Sequence, residues 1–348
     1  MGELATHGAA YNVVGRSRAE LERFVSGLGV PKYRARQIMA WVYNRGVTEF
    51  SAMTDLPAAS RELLAERASI GAAEVVARRR SRDGTVKLLL RFPDGAGVEC
   101  VAMVYAGERS TCVSTQVGCR FGCAFCASGQ GGFTRDLTVA EMVEQVLRLG
   151  DTRRLVLMGT GEPLDNYTAS LGLLRFMASP DGPRLSYRRM TVSTCGLIPG
   201  IDRLAQEEIP VTLAVSLHAA NDEVRDRLMP VNRRYPLRAL LAAADRYAEA
   251  TGRRVTYEWA LIAGVNDGPE QARELAGIMR GRLSHVNLIN LNPVEGYAFQ
   301  PAHPARAAAF RRILEGLGVT VTTRRPLGRD VDAACGQLRR RSPAPHRR

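Results

Sequence analysis

Apolar positions along the chain change their spacing twice. From Ser17 to about Ser69 they recur every three to four residues, in LERFVSGLG, YRARQIMAWVYNRG and ASRELLAERA, with a turn at Thr54-Asp55-Leu56-Pro57 before the last. That spacing predicts three short helices. Between Ala72 and Tyr105 the period falls towards two, in EVVARRR, TVKLLLRF and VECVAMVY, separated by Asp-Gly turns at 83–84 and 94–95. This is the pattern of an antiparallel meander. From Ser110 onward strands and helices alternate: STCVSTQ, RRLVLMG, RRMTVST, VTLAVSLH, VTYEWALI and HVNLINLN read as strands, with helical patterns at 138–150, 166–178, 199–207, 236–251, 268–282 and 304–317. Six such units in series predict an α/β fold, a parallel sheet curled into a partial (βα)6 barrel. The expected organisation is a helical domain over 1–70, a β-meander linker over 71–109, the barrel over 110–338 and a disordered basic tail over 339–348. VTVTT adds one more strand before a loop carrying Cys335, and residues 1 to about 15 predict no structure.

The barrel reading gathers the unusual residues in one place. Gly159-Thr160-Gly161-Glu162-Pro163, Ser193-Thr194-Cys195-Gly196, Ser216-Leu217-His218 and Asn290-Leu291-Asn292-Pro293 each fall just after a strand C-terminus, as does a cysteine-rich loop at 119–126. In parallel α/β folds that rim carries the active site. Glu162 there suits an ammonium group, and the glycines beside it let backbone approach a ligand.

Composition narrows the class of protein. With 45% hydrophobic and 24% charged residues the chain has the make-up of an ordinary globular protein. It contains no apolar run near the ~20 residues that span a membrane, and its N-terminus lacks the apolar core of a secretion signal. A cytoplasmic protein is therefore expected, in which clustered cysteines are metal-binding or catalytic. The net charge is 48 − 35 = +13, almost all of it from arginine, because Lys32 and Lys87 are the only lysines. A basic balance favours a polyanionic partner such as RNA. Arg34, Arg36, Arg45 and Arg61 of the helical domain either meet phosphates or form solvated helix faces.

Cys119, Cys123 and Cys126 stand in a C-x3-C-x2-C spacing within eight residues. Three soft ligands on one short loop suit a metal that keeps a position open. A closed zinc site would want a fourth Cys or His nearby, and no histidine follows until His218. Three ligands imply a [4Fe–4S] cluster whose fourth iron coordinates something else, the place S-adenosylmethionine (SAM) takes in the radical SAM superfamily. Four cysteines remain. Cys112 lies on the first barrel strand in a position to face the cavity, and Cys335 sits in the small-residue loop Ala-Ala-Cys-Gly-Gln. Cys100 and Cys195 read as buried thiols.

The ordered run CVSTQVGCRFGCAFCASGQGGFTRDLT, GEPLDNY, TVSTCGL, LAVSLHA, LMPVNRRYPL, GVND, HVNLINLNP and DAACGQL, with YRARQIMAWVY and MTDLP ahead of it, resembles the RlmN/Cfr family of radical SAM RNA methyltransferases over all but the two ends. The resemblance implies that Cys119, Cys123 and Cys126 hold the [4Fe–4S] cluster. It places SAM at Gly161, Glu162, Ser193, Ser216, Leu217, His218 and Asn292. Cys335 matches the cysteine methylated by a first SAM. A second SAM, cleaved to a 5′-deoxyadenosyl radical, then activates that methyl group for addition to adenine. Cys112 matches the cysteine that releases the product by a disulfide with Cys335, and Glu99 the proton acceptor. Adenine C2 is not nucleophilic, so polar transfer from a sulfonium is closed to it. A cysteine carrier needs a second thiol for release and a base for the C2 proton.

The RlmN branch, which the sequence resembles more closely, implies C2 methylation of an adenine in 23S rRNA and of one in tRNA. It also implies a flavodoxin-type reductase as electron donor and a monomeric enzyme. C8 methylation, as in the Cfr branch, is the alternative. A radical SAM enzyme on another substrate leaves Cys112 and Cys335 without a task, and a zinc-dependent RNA-binding module leaves the rim motifs without one. Thr160, where many members of the family have Met, and Cys195 depart from the family pattern beside the expected SAM pocket.

Overall fold

The computed structural model describes residues 10–331 apart from 106, 130, 293–297 and 325–326. Cys335 and the basic tail lie outside the described residues, as does Pro293. The chain begins with β1 (Tyr11–Asn12) and three helices, α1 (Arg18–Gly27), α2 (Arg34–Arg45) and α3 (Ala58–Arg67), followed by β2 (Ala68–Ser69). Helix α1 opens on a capping box, with Ser17 and Glu20 each satisfying the other's backbone N–H, and α2 stops at Gly46, whose φ of 67° is left-handed. The expectation of no structure up to about residue 15 fails at its end: β1 pairs in parallel with β2, and Tyr11 stacks on Phe24 at 3.9 Å. A two-residue strand is too short to show a period.

The meander consists of β3 (Glu74–Arg80), β4 (Val86–Arg91), β5 (Gly97–Tyr105) and β6 (Glu108–Cys112). It continues without a break into the barrel. After β6 come a short antiparallel pair, β7 (Gln116–Gly118) and β8 (Phe133–Asp136), then α4 (Val139–Leu149), β9 (Arg154–Leu157), α5 (Tyr167–Ala178), β10 (Met190–Thr194) and α6 (Ile198–Ala205). β11 (Thr212–Ser216), α7 (Asp222–Leu228), α8 (Leu237–Thr251), β12 (Val255–Leu261), α9 (Pro269–Met279), β13 (Ser284–Asn290), α10 (Pro304–Gly316) and β14 (Val321–Thr323) complete the order. The strand expected over STCVSTQ is thus two strands, because the Ser114 backbone leaves the ladder: its N–H donates to Gln145 Oε1 at 2.8 Å. Helix α7 has no counterpart in the sequence pattern.

One sheet of ten strands runs β14-β13-β12-β11-β10-β9-β6-β5-β4-β3 among the described residues. It is parallel from β14 to β6 and antiparallel from β6 to β3. Seven steps separate β14 from β5, about 34 Å in a flat sheet at ~4.8 Å per step. Yet Arg324, just past β14, brings an Nη atom to 3.7 Å from Met103 Sδ on β5. The sheet is therefore curled into an incomplete barrel. The chain after β14 crosses its gap: Asp330 accepts from Ser81 Oγ at 2.5 Å and from the Arg82 N–H at 3.2 Å, and Asp83 accepts from the Gly328 N–H at 2.7 Å.

Strand register sorts the side chains onto two faces. Leu155, Leu157, Val192, Val215, Trp259 and Leu288 belong to the main core under the helices, where Trp259 meets Phe310 of α10. Alternate positions face inward and include polar groups: Lys87, Glu99, Cys112, Ser193, Ser216, Glu258 and Asn287 share one face by register and contact. No helix among the described residues is long and apolar enough to cross a membrane.

Candidate active site

The cysteine loop starts at the end of β7, where Gly118 has a φ of +79° and a Cβ would collide with the Gly132 carbonyl. That close approach lets the Cys119 N–H donate to Gly132 O at 3.1 Å and starts the loop. The Cys126 N–H returns to Cys123 O at 3.0 Å, and the Ala124 N–H donates to Leu228 O, at the end of α7, at 2.8 Å. Phe121, Cys123 and Phe125 then pack on a small second core of Cys195, Leu228, Met229, Val231 and Ile262. Phe125 also meets the His218 ring edge-on at 4.7 Å. The loop is held from below by apolar contact and by backbone bonds, so its thiols need no structural task.

Burial pushes the Cys119 thiol up to about 11, with Cys126 as a further cause. Burial, then Cys126 and Cys119, push Cys123 higher still. Cys119 and Cys123, whose ionisation burial and a neighbouring thiol oppose, are groups that a bound cationic centre would deprotonate. Among the described residues no three His, Cys, Asp or Glu side chains converge on one metal ion. A cluster differs from a single ion in giving each thiolate its own iron. The donor set fits a cluster.

Beside this loop stands the turn after β9. Gly161 has a φ of +106°, and a Cβ there would come within 2.6 Å of Gln116 Cβ, so only glycine keeps this turn against β7. Thr160 is buried, and its carbonyl takes the Thr115 and Gln116 N–H groups at 2.9 and 3.2 Å. Its role here is carried by the backbone. Glu162 is buried, and its carboxylate accepts from the Cys195 N–H at 2.7 Å and the Leu164 N–H at 3.0 Å. Burial raises its pKa to about 6 against those bonds. Cys195 is a buried thiol as expected, but its backbone N–H fixes the carboxylate.

Ser193 and Ser216 are half-buried, Leu217 is buried, and Asn292 is exposed beyond β13. His218 is buried with a φ of +57°, and its Nδ1 accepts from the Ala260 N–H at 2.9 Å. Burial and then Arg225 lower its pKa to about 3, so it is a neutral acceptor. Two buried oxygens at this end, Ser128 Oγ and Asn290 Oδ1, have no hydrogen-bond partner among the described residues. Orphaned acceptors and a buried carboxylate beside three thiols fit a polar cofactor such as SAM.

Arg225 was not legible in the sequence. Its side chain is fully buried on α7. It donates to three rim carbonyls, Cys195 at 2.8 Å, Ser216 at 3.1 Å and Leu217 at 3.2 Å, and to Asn232 Oδ1 at 2.8 Å. DEVRDRL reads as a solvated stretch, and only the tertiary fold turns one of its two arginines inward.

On the inner face of the sheet, Lys87 Nζ lies 3.1 Å from Glu99 Oε2, with side chains 0% and 5% exposed. Cys112 is on the same face one strand away, since Val101 pairs with both Lys87 and Cys112. Burial raises the Cys112 thiol pKa, opposed by Arg324, the Met158 backbone and Lys87. Glu258 accepts from Asn287 Nδ2 at 2.8 Å further round. Sequence reading reached Glu99 and Cys112 but missed Lys87, Glu258 and Arg324. A lysine inside the apolar run VKLLLRF of a lysine-poor chain was the available signal. Cys112 is a free thiol. The disulfide expected at Cys112 is therefore not supported: no disulfide joins described residues, and Cys335 lies outside them.

Comparison with known proteins agrees with this geometry. Residues 113–276 match the family model of the Radical SAM superfamily, and residues 11–70 match that of the Ribosomal RNA large subunit methyltransferase N-terminal domain. A curated relative from Pelotomaculum thermopropionicum, named Probable dual-specificity RNA methyltransferase RlmN, is 50% identical over 341 residues, 96% of this chain and 93% of its own. One of the same name from Symbiobacterium thermophilum is 48% identical over 95% of this chain and 92% of its own. The crystal structure of a radical SAM methyltransferase from Sphaerobacter thermophilus superposes with a TM-score of 0.89 at 46% identity, over 94% of this chain and 98% of that one. With such similarity along almost its whole length, the chain belongs to the RlmN family of radical SAM RNA methyltransferases, which work with a [4Fe–4S] cluster and SAM.

Proposed function

We propose that this enzyme methylates C2 of an adenine in 23S rRNA and of an adenine in tRNA, carrying the methyl group on Cys335. The observation that best supports the reading is a buried carboxylate and a buried thiol on one inner face of the barrel, Glu99 and Cys112. Cys119, Cys123 and Cys126 hold the cluster. When bound, it supplies the electron for reductive cleavage of SAM. Glu162 takes the SAM ammonium, with Gly161, Ser193, Ser216, Leu217, His218 and Asn292 around the rest of the molecule. Glu99 accepts the C2 proton, and the Cys112 thiolate attacks the sulfur of Cys335 to release the methylated base.

The two relatives named as dual-specificity RNA methyltransferases support paired rRNA and tRNA targets. The helical domain over 1–70 contacts the RNA, the meander over 71–109 links it to the barrel, and the barrel runs over 110–338. The enzyme acts as a monomer in the cytoplasm and draws electrons from a flavodoxin-type reductase. Nucleoside mass spectrometry of rRNA and tRNA from a deletion strain tests the assignment. Loss of 2-methyladenosine from both fractions is expected. Loss of 8-methyladenosine instead would move the enzyme to C8 chemistry, and no change in either would overturn the RNA targets.

A further inference from the structure

We propose that Arg225 is a positioning residue for both cofactors: its buried guanidinium fixes the rim loops that take SAM and places a permanent positive charge behind the cysteine loop. A buried guanidinium is costly unless its N–H groups are satisfied. Here they are, yet the partners are neutral oxygens: the Cys195, Ser216 and Leu217 carbonyls and Asn232 Oδ1. The nearby carboxylates, Asp222 and Asp226, sit one step away on Asn232 Nδ2 at 2.8 and 2.7 Å. The charge is therefore held in place without being cancelled at contact.

Its position is tied to the cysteine loop through its own helix, because α7 ends in the Leu228 carbonyl that binds the Ala124 N–H. It also reaches the same loop by packing, since Cys123 rests on the small core that contains Cys195, the residue whose carbonyl Arg225 holds. Glu162, itself bound to the Cys195 N–H, lies on the other side of the residue whose carbonyl Arg225 holds. One side chain thus sets the Cys195 turn, the Ser216–Leu217 turn and the loop of three thiols relative to one another. A cluster on three thiolates is anionic and becomes more so on reduction, so a fixed buried cation stabilises the reduced form and raises the potential.

The inference rests on the family's cluster but not on which adenine carbon is methylated. Iron and sulfide analysis of the reconstituted full-length protein comes first, because a wild-type chain without a cluster would end the cofactor reading itself. Two variants then separate charge from geometry. Arg225→Gln keeps donors and loses the charge, and its cluster should titrate at a more negative potential by EPR-monitored reduction. Arg225→Lys keeps the charge and loses the fork, and it should hold the potential while binding SAM on the order of tenfold more weakly, the effect of one lost charge-assisted bond. Circular dichroism establishes that each variant folds, and either folded variant decides its own half. Wild-type potential in Arg225→Gln overturns the electrostatic half, and wild-type SAM affinity in Arg225→Lys overturns the positioning half.

Discussion

At the rim, buried charges are held by backbone: Glu162 by the Cys195 and Leu164 N–H groups, Arg225 by three carbonyls. In the wall, a buried lysine and a buried glutamate hold each other, Lys87 Nζ and Glu99 Oε2 at 3.1 Å. Backbone partners cannot move without unfolding a turn, so the rim is a fixed template suited to binding. Side-chain partners can exchange protons and shift by a rotamer, so the wall is suited to chemistry. The same sheet supports both because its strand ends stop at the rim while strands β4 and β5 run on past Cys112.

Breaking the wall should have the largest effect. Lys87→Met leaves Glu99 buried without its ammonium, and removing one partner of a buried pair costs about 3–5 kcal/mol. The double variant Lys87→Met with Glu99→Gln should recover most of that in thermal or urea melts. A single variant as stable as the wild type would show that the pair does not hold the wall together. At the rim the effect should be smaller. Glu162→Gln sets an amide donor against one of two backbone donors, a loss of about 1–3 kcal/mol, and it removes the charge that meets an ammonium. Weakened SAM binding together with a modest fall in stability is the expected pair of results. SAM binding unchanged by this variant would remove Glu162 from the pocket.

The mildest test is pH. Burial lifts Glu162 to about 6, so between its ordinary value and about 6 the folded chain holds a proton that the unfolded chain has released. Ionisation at Glu162 therefore weighs against the empty fold as pH rises through that window, while it favours an ammonium ligand. SAM affinity should be level above about 6 and fall by roughly tenfold per unit below it, the behaviour of one required carboxylate. Equilibrium binding across that range checks the slope, and a flat profile would mean that the ammonium has another partner.

How much of this was legible differs from element to element. The helices of the N-terminal part showed their apolar period, and the strand–helix alternation showed a parallel barrel. Glycine turns such as Gly161 stood out because only glycine adopts their backbone next to a neighbouring strand. By contrast α7 is seven residues long and mostly charged, so it lacks the two turns over which an apolar stripe can be read. The pair β7 and β8, three and four residues long, escaped for the same reason. Lys87 and Arg225 looked like surface cations among many.

The sequence by itself determined the three-part succession of helices, meander and strand–helix units, the rim on which the unusual residues meet and the soft-ligand chemistry of the cysteine loop. These follow from local period, turn chemistry and spacing. Only the tertiary structure decided which charges are buried. A strand's alternation separates two faces without saying which one closes around a cavity, and that choice is made when the sheet curls far enough for Arg324 to reach Met103. It is the curl that encloses Lys87, Glu99 and Cys112, and the packing of α7 beneath the cysteine loop that encloses Arg225.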